Sequence, residues 1–156
     1  MRIGNDAREL CGRATGVGRY LSGLLNEWAA GDHARAHQFV LYVPEALGVP
    51  LDGRRFATRV VGGSPGVWWE QVRMPPVAGR DQLDVLFAPG YTAPLFRRVP
   101  TVVAIHDVSF AARPDWFAAR EGMRRRWLSR QAALRSRAVI TISEFSRREI
   151  MDRFGV

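Results

Sequence analysis

Runs of apolar residues alternate with stretches in which apolar positions recur every three or four residues, from one end of the chain to the other. Residues 1–5 read as a short strand. Val17, Tyr20, Leu21, Leu24, Leu25 and Trp28 then fall on one face of a helix, which Gly31 should end. Gln38 to Val43 predicts a second strand closed by Pro44, and Ala57 to Val61 a third closed by Gly62-Gly63. A shorter helix after Pro65 carries Trp68, Trp69 and Val72 and should stop at Pro75-Pro76. Asp84 to Ala88 and Thr101 to Ile105 are apolar without alternation, the pattern of central parallel strands covered on both faces. A long helix is predicted between Pro114 and Arg137, interrupted at Gly122, with Met123, Trp127 and Leu134 along its apolar side. Ala138 to Ile142 reads as a further buried strand, and a helix from Glu144 should end with Gly155 at its C′ position.

Strands separated by helices require right-handed crossovers, and so a three-layer, doubly wound α/β domain with a mostly parallel sheet and helices on both faces. At 156 residues the chain fits one such domain, 1–156. Ligands of these sheets bind beyond the carboxyl ends of the strands, where strand order reverses. The loops after strands one, four, five and six are therefore the ones that can carry chemistry.

Composition narrows this only slightly. With 47% apolar and 24% charged residues the chain is expected to fold, which excludes disordered and fibrous classes. The net charge is +8 and every one of the 23 basic residues is Arg, so an anionic partner is favoured without being chosen. The single Cys11 forms no internal disulfide and has no metal-ligand neighbours, which points to a reducing cytosol. No stretch approaches the about 18 apolar residues of a membrane span, so any membrane contact is expected to be peripheral.

Five groups stand out. Gly12-Arg13-Ala14-Thr15-Gly16-Val17-Gly18-Arg19 places glycines before a helix start, whose amides suit a phosphate or carboxylate. A tight turn explains it equally well. It is not the dinucleotide fingerprint, because Tyr20 and Leu21 stand where the third glycine belongs and no acidic residue follows about twenty positions on. His106, at the end of an apolar strand, is as much a functional candidate as a structural one, and Asp107 either orients it or caps the loop. Pro89-Gly90-Tyr91-Thr92 turns out of the neighbouring strand and presents a phenol and a hydroxyl. Ser143 suits the N-cap of the last helix, although Ser146 with Glu149 also fits a capping box; a substrate-facing hydroxyl is the second reading. Arg97-Arg98, Arg120, Arg124-Arg125-Arg126 and Arg130 read as a solvated face or, more sharply, as a peripheral contact with anionic membrane, anchored by Trp68 and Trp69.

Taken in order, Asp6-Ala7-Arg8 with Thr15-Gly16-Val17-Gly18-Arg19-Tyr20, then Ile105-His106-Asp107-Val108-Ser109-Phe110, then Ala138-Val139-Ile140-Thr141-Ile142-Ser143-Glu144-Phe145-Ser146-Arg147, resemble the N-terminal half of retaining glycosyltransferases of the GT-B fold. The likeness is to the family-four (group 1) enzymes, which include bacterial mannosyl- and other sugar transferases, and it covers nearly the whole chain. It implies a Rossmann-like, acceptor-side domain facing a nucleotide-sugar domain across a cleft. It further implies that Gly16, Val17 and Gly18, with Arg19 beside them, lie near the donor diphosphate and that His106 contacts the transferred sugar. Tyr91, Asp107 and Ser143 would line the acceptor side. The substrates would be a nucleotide sugar and a carbohydrate or lipid-linked acceptor, and no metal or other cofactor is implied. The glutamates and basic pair that hold the donor belong to the family's C-terminal domain, so this chain is expected to lack them and to be inactive alone. Two rivals are a dinucleotide-binding oxidoreductase domain and a basic interaction or nucleic-acid-binding module. No nucleic-acid signature supports the latter.

Overall fold

The computed structural model describes residues 1–13, 15–47, 55–96, 98–108 and 119–156, with the backbone alone for 119–121. Six strands among the described residues, β1 (Arg2–Asp6), β2 (Gln38–Val43), β3 (Phe56–Val60), β4 (Val85–Ala88), β5 (Thr101–Ala104) and β6 (Ala138–Ile140), form one parallel sheet in the order β3-β2-β1-β4-β5-β6. The chain reverses its direction of travel across the sheet between β1 and β4, so their carboxyl ends bracket the switch point.

Alternation along the strands shows why both faces are covered. Phe39, Leu41 and Phe87 meet Leu21 and Leu25 of helix α1 (Gly16–Ala30) on one face. Each of those fully buried leucines contributes about 2 kcal/mol. Val40, Tyr42 and Leu86 meet Trp69, Met74 and Ala78 on the other. Val103 and Ile105 pack on Ala132 and Ala133 of α3 (Ala119–Arg135) and on Ile150 and Phe154 of α4 (Glu144–Phe154).

The expected doubly wound architecture is present, with four local corrections. Pro75-Pro76 does not end the helix after Pro65. A π-helical stretch, Trp69–Arg73, closes with the Met74 amide donating to the Trp69 carbonyl, and the helix runs on through both prolines, which open α2 (Met74–Ala78), so the amides that proline lacks fall where the regular hydrogen-bond ladder is already slipped. Gly122 lies inside α3 and does not interrupt it. The apolar side predicted for that helix faces outward: Met123 and Trp127 are 59% and 55% exposed, while Leu128, Ser129, Ala132 and Ala133 are buried. β6 is an edge strand whose side chains are partly or wholly exposed, not a buried one. The expected start of α3 at Pro114, together with Ala14, Arg97, Ser109, Phe110 and the Arg120 side chain, lies outside the described residues.

Candidate functional site

The segments leaving β1, α1's amino end, β4 and β5 converge on one rim. Thr15 caps α1 from an extended backbone: its Oγ1 accepts from the Gly18 amide at 2.9 Å and donates to Glu9 Oε2 at 2.9 Å. The cap uses the Gly18 amide, so Gly16 and Val17 carry the helix-start amides without a partner among the described residues. Gly18 itself is buried, and a Cβ there would strike the Glu9 carbonyl, whereas Gly16 borders open space. Close approach dictates one glycine and leaves the other free.

His106 follows β5 at this rim. Its Nε2 lies 3.0 Å from the Pro89 carbonyl, and the rings of Tyr20 (4.7 Å between centroids) and Tyr91 (5.4 Å) meet it edge to face. The Tyr91 hydroxyl donates to Asp107 Oδ2 at 3.0 Å. Burial, followed by the Asp107 carboxylate, pushes the Tyr91 phenol well above its usual range, so it remains a donor at physiological pH. Val17, Gly90, Tyr91, Thr92 and Asp107 line an open cleft of about 680 Å³, with Arg124 and Arg125 of α3 across from them.

Beneath the cleft lies a polar network that the sequence did not reveal. Glu70, fully buried, pairs with Arg8 at 3.2 Å and accepts from Thr92 Oγ1 at 2.8 Å. Arg8 also lies 3.6 Å from Asp6 and donates to the Gly66 carbonyl at 3.3 Å. One guanidinium thus serves two buried carboxylates. Burial raises the Asp6 carboxyl to about 6, against the opposing pull of Arg8. Nothing in the residue pattern marks Glu70, since the π-helical turn that aims it inward shifts the helical period by one residue. Arg8 was visible only as part of the Asp6-Ala7-Arg8 motif, and Tyr20 only as an apolar helix position and as the end of the Thr15-to-Tyr20 motif, without a role of its own.

Of the residues singled out from sequence, Val17, Tyr91 and Asp107 line the cleft together; Gly16 and Gly18 flank Val17, and His106 packs against Tyr20 and Tyr91 beside the cleft, outside its lining. Arg19 is exposed on α1 next to Gly18, outside the cleft lining. Ser143 is the N-cap of α4: its Oγ accepts from the Ser146 amide at 3.1 Å, and it too lies outside the cleft lining. The paired tryptophans separate, because Trp69 is buried with Nε1 donating to the Val61 carbonyl at 2.6 Å while Trp68 is 68% exposed. Of the expected pair of anchors, only Trp68 is exposed. Among the described residues no cluster of His, Cys, Asp or Glu could hold a metal ion, and no helix is long and apolar enough to cross a membrane.

A six-stranded parallel sheet whose order reverses between β1 and β4, with helices on both faces, defines a Rossmann-like α/β domain. The family model for Glycosyltransferase Family 4 matches residues 14–156, and the chain belongs to that family. A search of curated proteins gave no match. The match covers α1, His106 and the β6–α4 motif together, and it favours neither the dinucleotide nor the nucleic-acid reading.

Proposed function

We propose that the chain forms the acceptor side of a sugar-transfer site: a nucleotide sugar gives up its glycosyl group to an acceptor hydroxyl with retention at the anomeric carbon, without a metal. In this reading a second, nucleotide-sugar-binding lobe closes over the open rim. The Gly16 and Val17 amides, at the positive end of α1, offset charge developing on the departing diphosphate once closure removes water. Arg19 flanks that end with a cation. His106 hydrogen-bonds the transferred sugar without attacking it, and Tyr91 with Asp107 receives the acceptor. Ser143 is left to capping, since its hydroxyl is already engaged. A peripheral contact with anionic lipid would rest on Trp68 and the exposed arginines, and equal co-sedimentation with anionic and neutral vesicles would remove it.

The observation that supports the reading is the contact of Tyr20, near the start of α1, with His106, beside an open cleft that Val17, Tyr91 and Asp107 line. Titrating the ¹⁵N-labelled chain with nucleotide sugars and with free sugars tests it. Shifts should concentrate at Gly16 to Tyr20, Tyr91, His106 and Asp107, with weak affinity. No response there at millimolar ligand, or micromolar saturation by NAD through the same loop, would overturn it.

A further inference from the structure

We infer that Tyr91 is a positioning residue, held in a strained turn by Glu70 and Gln71, and that it fixes the His106 imidazole as the Nε2–H tautomer next to a fixed Asp107 carboxylate. Tyr91 has φ +66°, in the left-handed region that a bulky side chain rarely enters. The Thr92 amide donates to the Gly90 carbonyl at 2.7 Å, which makes Tyr91 the centre of a γ-turn of the rare positive-φ kind. Such strain persists only where the surroundings over-determine it, and it collects at functional sites.

The surroundings here are identifiable. Thr92 is tied to both oxygens of buried Glu70, at 2.8 and 2.9 Å. The Gln71 amide group spans the next residues, Nε2 donating to the Ala93 carbonyl at 3.0 Å and Oε1 accepting from the Leu95 amide at 2.9 Å. Both side chains come from the π-helical stretch, whose wider turn aims two consecutive polar residues at one loop. The Tyr91 amide donates to the Ala104 carbonyl at 2.9 Å, anchoring the turn to the end of β5, two residues before His106.

The output of this clamp is chemical. A carbonyl only accepts, so the 3.0 Å contact with Pro89 places the proton of neutral His106 on Nε2. Nδ1 is then an acceptor, and it has no partner among the described residues. The Tyr91 and Tyr20 ring edges limit rotation of the imidazole. If His106 touches the sugar as proposed above, which this step rests on, it reads a donating hydroxyl and does not supply a proton.

Two-bond ¹H–¹⁵N correlation of the three histidines in the chain, at a pH where the rings are neutral, tests the assignment without any ligand. His106 should show one pyrrole-type Nε2 and one pyridine-type Nδ1, distinct from the averaged signals of exposed His33. In Tyr91→Gly, which relieves the turn, the chain should stay cooperatively folded while His106 averages between tautomers. Thr92→Val, which releases Glu70, should move it partway, and Tyr91→Phe should keep the tautomer but shift the Asp107 carboxyl signal. An averaged or Nδ1-protonated His106 in the unaltered chain, or an unchanged His106 in both Tyr91→Gly and Thr92→Val, would overturn the inference. A silent sugar titration would count against the proposed function and leave this assignment intact.

Discussion

Asp6 is fully buried beside a guanidinium it shares with Glu70, and that arrangement has a cost at neutral pH. Its folded value of about 6 lies above the 3.8 expected of an unfolded aspartate. Between those values the folded chain holds a proton that the unfolded chain has released, so stability falls as pH rises from about 4 to 6 and the loss is complete above that. The shift corresponds to about 3 kcal/mol. Asp6→Asn keeps the shape and leaves Arg8 paired one-to-one with Glu70. Urea denaturation from pH 4 to 8 should show the variant more stable near neutrality and without that slope; parallel curves would refute the account. At this scale the sequence exposed His106, Asp107 and Tyr91, because strand ends and turn residues are marked locally. Glu70 stayed hidden because what buries it is a hydrogen-bond slip inside a helix, which no residue type announces.

Helix α1 shows how an element acquires its place. Gly18 allows its first turn to lie against the Glu9 carbonyl, while Gly16, two residues earlier, touches nothing. Gly18→Ala should therefore cost about 1–3 kcal/mol, and Gly16→Ala about nothing, in thermal or denaturant unfolding. Equal losses would mean that the glycine loop is a turn requirement throughout. The same size logic explains the missed face of α3. Its large apolar residues, Met123 and Trp127, point outward, and the face that packs is built from Ala132, Ala133 and Ser129 beside Leu128, small enough for close contact with β5 and α4. Hydrophobicity located α1, β2 and α4, the last with Gly155 at φ +72° as expected, because each presents a wide apolar face or a clear stop. It misled where volume, not polarity, decided the packing.

For the molecule as a whole, a net charge of +8 carried entirely by arginine opposes compaction. Exposed pairs such as Arg147 with Glu144 and Arg35 with Asp32 offset little of it. Raising the ionic strength from about 0.01 to 0.15 M, which shortens the Debye length from about 30 to 8 Å, should raise the melting temperature; a fall would show that the pairs outweigh the repulsion. The doubly wound layout was legible from alternation of elements alone, whereas the cleft depended on which loops meet, a property of strand order that no single segment contains. That order also shapes biogenesis. β1 hydrogen-bonds to β2 on one side and β4 on the other, and the Arg2 amide reaches the Asp84 carboxylate at 2.7 Å across a separation of 82 residues. On the ribosome the nascent chain can pair β1 with β2, and β2 with β3, early, yet the other edge of β1 stays bare until β4 has emerged. During that interval the future midline of the sheet is an open template for a neighbouring nascent copy, so translation pace, chaperone supply and temperature act on yield through a single strand edge.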